Sequence, residues 1–181
     1  MGQAGGAVAY ASPFDAEIAE LSAKLDATRL AYGSEEERTR AEAKFAQSRE
    51  VVAAASVGAL ARRGVFNAAE AGRKNLLGDK ELVDAVASGS VELDDIEPEA
   101  LPAALKPMAP EEQKAYVARL AGERADIRQK IQALAEDRDQ FIAKKVEEAG
   151  GMADSLDAKL YEAVRDQAGK AGFEYKDGPA Y

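Results

Sequence analysis

Four acidic residues lie close together in this sequence, and carboxylates in such a group could bind a metal ion. Asp94, Asp95, Glu97 and Glu99 lie within a stretch of six residues, and carboxylate oxygens are the ligands that calcium and magnesium prefer. The segment lacks the alternating ligands and the glycine of a calcium-binding loop. Helix capping and solvation are therefore the favoured roles of these carboxylates, and the sequence predicts no metal site.

The side chains that most enzymes use for catalysis are scarce. The chain of 181 residues contains no cysteine and no histidine. Thiol nucleophiles, the usual zinc ligands and the commonest general base are therefore missing. The sequence contains no constellation of base, nucleophile and metal ligands. We expect no catalytic residue, no cofactor and no enzymatic activity.

Charge and composition narrow the choice of partner and fold. The net charge is −9 and the isoelectric point is about 4.7, so phosphate backbones and anionic membrane surfaces would repel the chain on average. No segment approaches the roughly 20 apolar residues of a membrane span. We expect neither nucleic-acid binding nor membrane insertion. Aromatic residues make up only 6% of a chain rich in alanine and charged residues, which favours helices over a deep globular core.

The segment 110–149 is the clearest structural element, because it contains no proline after Pro110 and only Gly122 as a helix breaker. Two rows of side chains repeat every seven residues along it. The first, which we call the apolar row, is Leu120, Ile127, Leu134 and Phe141; the second, the mixed row, is Val117, Arg124, Ile131 and Arg138. Such a heptad pattern predicts one long helix that packs along a narrow stripe on another helix.

Arg124 and Arg138 in the mixed row allow two interpretations. Each guanidinium could pair with a carboxylate on a facing segment and fix the register of the helix. Alternatively, each aliphatic stem could lie along the stripe while the charged end reaches water. The sequence leaves both open, and neither describes catalysis.

The remaining elements are shorter. Residues 4–11 predict a strand, and Ser12 with Pro13 predicts a helix start. The pattern divides the rest into a helix over 13–32, a helix over 34–63 that opens on a Ser34–Glu37 capping box, short helices and turns over 64–109, the long helix, and a helix over 154–171. The predicted partner of the apolar row is a stripe on the first helix, namely Phe14, Ile18, Leu21 and Leu25.

Several stretches together resemble the C-terminal helical region of bacterial proteins that contain a von Willebrand factor type A domain. The first, GGAVAYASPFDAEIAELSAKLDATRLAYG, is similar to the exit from that domain, where a Gly-Gly-led last strand runs into a helix that ends at Tyr-Gly. The others are ELVDAVASGSVELDDIEPEALP, MAPEEQKAYV, RADIRQKIQALAEDRDQFI and AVRDQAGKAGFEY. One departure is Lys80-Glu81, where the family often has a tryptophan.

The resemblance implies an architecture and a role. Residues 1–12 would be the remnant of the last strand of an upstream α/β domain, and 13–181 a mainly α module, an elongated helical bundle or coiled-coil hairpin. The metal-binding Asp-x-Ser-x-Ser motif of the family is absent here. We expect a non-enzymatic structural or protein-interaction module, attached in cis to a type A domain in a periplasmic or secreted protein, with an unknown protein partner. The alternative is a self-contained cytosolic coiled-coil protein that forms homo-oligomers through 110–149.

Overall fold

The computed structural model describes residues 10–72, 78, 80–148 and 156–170. These residues are mainly α-helical, as the composition predicts, and they contain no strand beyond an isolated antiparallel bridge between Ala31 and Glu81. The helices are α1 (Asp15–Ala27), α2 (Glu35–Ala54), α3 (Val57–Ala68), α4 (Leu82–Ala87), α5 (Pro110–Glu148) and α6 (Leu156–Lys170). Two 3-10 turns, Leu93–Asp95 and Pro98–Ala100, lie between α4 and α5.

The first helix is shorter than the predicted 13–32 at both ends. It begins at Asp15, and Phe14 at the N-cap position makes no side-chain capping bond. It ends at Ala27, where the Thr28 hydroxyl donates to the carbonyl of Leu25 at 2.7 Å. The following residues leave the helix because the Leu30 carbonyl accepts from the Leu82 amide at 2.8 Å. A long-range pairing thus ends a helix that local propensity would have continued.

The segment 34–63, predicted as a single helix, is divided between α2 and α3. Ala55 adopts an extended conformation, and the Ser56 hydroxyl then accepts a hydrogen bond from the Ala59 amide at 3.3 Å. A serine cap competes with helix continuation by offering its own partner to the free amides of a new first turn. The capping box at the start of α2 is confirmed, with both the Ser34 and the Glu37 side-chain bonds present.

Helices α1 and α3 form the closest helix pair among the described residues. Gly64 permits this approach, because a Cβ atom there would lie 3.0 Å from Cβ of Ser22 and 3.1 Å from Cγ2 of Ile18. A mutually packed set of buried side chains surrounds the contact, and we call it the α1–α3 cluster. Its buried members are Ile18, Leu21, Leu25, Ala61, Ala68 and Ile131, with Phe14, Val65, Ile127 and Leu134 packed at its edge.

A second apolar cluster, the α4 cluster, lies among the turns that precede α5. It consists of Leu82, Leu93, Leu101, Leu105 and Val117. Helix α5 contributes to both clusters, Val117 to one and Ile131 to the other. The long helix therefore connects two cores that belong to distant parts of the sequence.

The chain forms two compact units, one of residues 13–138 and one of 1–12 with 139–181. Both apolar clusters lie in the first unit. In the second, residues 163–170 of α6 are mostly exposed, including Val164. The predicted strand over 4–11 lies almost wholly outside the described residues. Helices α1 and α3 form a close pair, and a coiled-coil hairpin built on α5 stays a prediction.

Candidate functional site

The most strongly organised polar site in the described residues is a buried cluster of Thr28, Glu81 and Arg124. Glu81 precedes α4 in an extended conformation, and its carboxylate caps that helix by accepting from the amides of Val83 and Asp84 at 3.4 and 2.8 Å. It also accepts from the Leu30 amide at 3.0 Å. This carboxylate therefore ties the chain after α1 to the start of α4.

Arg124 supplies the positive charge of this cluster. Its two terminal nitrogens donate to the two carboxylate oxygens of Glu81 at 2.8 and 2.9 Å, a bidentate pairing. The Nε atom donates to the Thr28 hydroxyl at 3.0 Å, and a terminal nitrogen donates to the Thr28 carbonyl at 2.9 Å. The side chains of Arg124 and Glu81 are only 3% and 1% exposed. Charge-assisted bonds of this geometry are strong, and they offset the cost of removing both ions from water.

Arg138 forms a second buried pair at the other end of α1. Its Nε atom donates to Oδ1 of Asp15 at 2.8 Å, and the two side chains are 11% and 6% exposed. Asp15 is the first residue of α1, where a negative charge also favours the helix dipole. Both arginines of the mixed row thus pair with carboxylates, and the alternative in which they reach water is wrong.

The two ion pairs show how α1 and α5 are oriented relative to each other. Arg124 contacts Thr28, the C-cap residue that follows α1, whereas Arg138 contacts Asp15, the first residue of α1. The two helices therefore run in opposite directions. Thirteen steps along α1 and fourteen along α5 separate the two anchors, which at about 1.5 Å per residue gives lengths of about 20 and 21 Å. The spacing of the arginines matches the length of α1.

The structure brings most of the predicted packing residues together. Ile18, Leu21 and Leu25 share the α1–α3 cluster with Ile131, and Phe14, Ile127 and Leu134 pack at its edge. Leu120 is buried elsewhere on α5, whereas Phe141 is half-buried and lies in the unit of residues 139–181.

Within α5 the mixed row is buried more deeply than the apolar row. All four residues of the mixed row are buried, whereas in the apolar row only Leu120 is. The carboxylate partners permit this, because Arg124 and Arg138 are neutralised inside the fold. The sequence analysis did not identify Thr28, Glu81 or Asp15 as partners.

One carboxylate of the acidic residues 94–99 pairs with a lysine of the chain itself, and a second lysine bonds the backbone of this segment. The Asp94 carboxylate accepts from Nζ of Lys114 at 2.8 Å, and this hydrogen bond raises the pKa of Lys114. Lys106 donates to the carbonyl of Glu99 at 3.1 Å. Among the described residues, no three cysteine, histidine or carboxylate side chains are grouped in a way that could hold a metal ion.

Shallow clefts lie in the unit of residues 13–138, and two of them are lined in part by α5. One, of about 390 Å³, runs between α1 and α5 and is lined by Leu120, Ile127 and charges of both signs, which include Lys24 and Asp126. The other, of about 480 Å³, opens beside the α4 cluster. Neither brings a nucleophile beside a base. No described helix has the length and apolarity to cross a bilayer.

The surface of α2 is the other candidate for function. This helix of 20 residues has no buried side chain. Its Phe45 ring lies 4.3 Å from the guanidinium of Arg29, whose pKa is lowered by burial, an effect that Asp26 opposes. At the corner between α2 and α3, Val51 is 64% exposed and Val57 is 49% exposed. We call these two valines the α2–α3 corner.

Comparison of the chain with protein-family models, with curated proteins and with solved structures finds no match. The candidate functions therefore rest on the geometry described above and on the residue patterns of the sequence.

Proposed function

We propose that this chain is a non-enzymatic helical module that works as a structural or protein-interaction appendage of a protein with a von Willebrand factor type A domain. The observation that carries the interaction role is α2, a helix of 20 residues without a buried side chain. Bridging between domains is one of the roles of a helix that is polar on all sides. The exposed valines of the α2–α3 corner give this surface an apolar contact point.

The use of the buried charges supports a structural role over a catalytic one. Glu81 accepts five hydrogen bonds from within the chain, two of them from Arg124. Asp15 pairs with Arg138. A carboxylate whose lone pairs are filled by backbone amides and a guanidinium serves packing and capping, and has little capacity left to bind a substrate or to move a proton.

The link to a type A domain rests on the series of sequence stretches given above. In this proposal residues 1–12 form the last strand of the upstream domain, the module follows it in cis, and the parent protein is periplasmic or secreted. Such a gene should encode an Asp-x-Ser-x-Ser motif and an export signal upstream of Met1. A parent sequence without that motif would contradict the appendage.

The alternative, an oligomer formed through a coiled coil over 110–149, has less support. Leu120, Arg124 and Ile131 are covered by the same chain, so an intermolecular seam would have to displace these contacts. Sedimentation at micromolar concentrations distinguishes the two, because only an intermolecular seam depends on protein concentration.

Affinity capture from the source cells tests the interaction role. Three baits are compared: the parent protein, the parent without residues 13–181, and the parent with Val51→Asp/Val57→Asp. We expect a protein that the first bait retains and the other two lose. A matched control, Ala163→Asp/Val164→Asp, adds the same charge at exposed positions of α6 and should retain it. Identical captures with and without residues 13–181 would contradict the proposal.

A further inference from the structure

The mixed row of α5 alternates between apolar and charged residues. Its apolar members lie in apolar clusters, and its arginines lie beside carboxylates. Val117 lies in the α4 cluster and Ile131 in the α1–α3 cluster. Between them Arg124 meets Glu81 and Thr28, and beyond them Arg138 meets Asp15. Each residue of the row therefore has a neighbour of its own chemical type.

We infer that the two buried arginines fix the register of α5 by making a pairing shifted by one heptad unfavourable. A one-heptad shift moves the helix by about 10 Å, seven residues at about 1.5 Å each. The apolar row tolerates such a shift, because another apolar side chain replaces each of its members within the row. It therefore cannot select one register by itself.

The mixed row responds differently to the same shift. Arg124 would enter an apolar cluster, and an aliphatic side chain would face the buried carboxylate of Glu81. Both replacements leave a buried charge without a partner, which is among the most costly arrangements in a protein interior. The charged residues therefore penalise the pairing that the apolar residues permit.

The two contacts also act at opposite ends of α1, which makes them hard to satisfy in any other register. Arg124 binds the carbonyl of Thr28 at the C-terminal end, and Arg138 binds Asp15 at the N-terminal end. The helix dipole of α1 favours the Arg124 cation at its C-terminal end and the Asp15 carboxylate at its N-terminal end. Buried ion pairs are weak sources of stability compared with apolar replacements, and their best-attested role is the selection of a single arrangement.

Spin labels can measure the register, because the chain contains no cysteine of its own. Labels at Glu17→Cys and Ala118→Cys, both exposed, report separation along the helix axes through pulsed electron resonance. The parent should give one distance. The fourfold variant Asp15→Leu/Glu81→Leu/Arg124→Leu/Arg138→Leu should add a second population displaced by about 10 Å. A folded fourfold variant with the single parent distance would overturn the inference.

The control replaces an exposed ion pair that also joins α5 to another segment. Lys114 and Asp94 lie 2.8 Å apart with side chains 42% and 64% exposed. Asp94→Leu/Lys114→Leu should keep the single parent distance. An exposed ion pair contributes little free energy, so its removal should not change the preference for one register. A second population in this control equal to that of the fourfold variant would overturn the inference, because register would then not depend on burial.

If the fourfold variant does not fold, the milder Glu81→Leu/Arg124→Leu variant is studied by crosslinking with a short bismaleimide. Cysteines at 17 and 136 lie at the same level in the observed register, whereas cysteines at 17 and 129 would do so after a one-heptad shift. The rate for the 17/129 pair relative to the 17/136 pair should rise at least about tenfold over the parent, equivalent to about 1.4 kcal/mol of lost discrimination. An unchanged ratio would overturn the inference.

Discussion

Helices α2 and α5 are both rich in charged residues, yet they relate to the core in opposite ways. Over its 20 residues α2 buries no side chain, whereas α5 buries Val117, Leu120, Arg124, Ile131, Ala135 and Arg138. Residues 35–50 of α2 have Phe45 as their lone large apolar residue, but α5 repeats its rows every seven residues. The comparison teaches that the spacing of a few side chains, and not overall composition, decides whether a charged helix joins a core.

The two helices are consequently held by different forces. Helix α2 relies on local capping and on polar contacts near the surface, such as Glu37 to Lys80 at 3.2 Å and Arg63 to Ser48 at 3.2 Å. Helix α5 relies on long-range burial and on ion pairs to distant segments. Changes in α5 should therefore lower the stability of the whole unit, and changes in α2 should act locally.

The largest effect is expected for Arg124→Leu. This change leaves the Glu81 carboxylate buried without its cation, which typically costs about 3–5 kcal/mol of unfolding free energy. Urea denaturation followed by circular dichroism measures the loss. Arg119→Leu on the exposed face of the same helix should change the unfolding free energy by less than about 0.5 kcal/mol. Equal losses of unfolding free energy in the two variants would show that the buried ion pair contributes no more to stability than an exposed one.

The next largest difference between α5 and α2 is expected in the loss of unfolding free energy when an aliphatic side chain is truncated. Ile131→Ala should cost about 2–5 kcal/mol, because the side chain is fully buried in the α1–α3 cluster and its removal leaves a cavity. Leu134→Ala should cost less, since that residue lies at the edge of the cluster. In α2, Val51→Ala should stay within about 0.5 kcal/mol. Urea titrations measure the unfolding free energy of each variant. A loss for Val51→Ala as large as that for Ile131→Ala would contradict the proposed difference between α2 and α5.

A smaller effect is expected at the start of α2. Ser34→Ala removes the hydroxyl that accepts from the Glu37 amide at 3.2 Å, and loss of such a cap costs about 1 kcal/mol. Hydrogen exchange should accelerate in the first turn of α2 and stay unchanged in α5. Ser34→Thr, which keeps a capping hydroxyl, is the matched control. Unchanged exchange in the first turn of α2 would mean that the cap does not hold the helix end.

The smallest effect concerns pH. The pKa of Glu37 is lowered, first by the hydrogen bond from the Ser34 amide and then by Lys80. A lowered pKa in the folded state means that the contribution to stability is present above the ordinary glutamate pKa of about 4.3 and is lost as pH falls through the lowered value.

Nuclear magnetic resonance should show the Glu37 carboxyl titrating below that ordinary value. In Glu37→Gln, which keeps a capping oxygen, first-turn exchange should lose its acid sensitivity. A normal titration midpoint would contradict this account.

The sequence by itself determined the helical class and the position of the long helix. Alanine and charged residues favour helices through low side-chain entropy cost, and the heptad rows with Pro110 at the first position mark α5. The Ser34–Glu37 box is local and could be found from four residues. The stripe of α1 and the burial of Ile131 also followed from periodicity, because helical geometry places residues three and four apart on one face.

Only the tertiary structure decided where α1 ends, where the boundary between α2 and α3 lies, and which carboxylates pair with the arginines. Thr28 and Glu81 are 53 residues apart, and Arg124 follows 43 residues after Glu81. No local pattern specifies that these three side chains meet. The choice depends on the packing of two apolar clusters around α5, which brings the carboxylates within hydrogen-bond distance of the buried guanidinium groups. Burial of charge is a property of the assembled fold, since its cost appears only once water has been excluded from both partners.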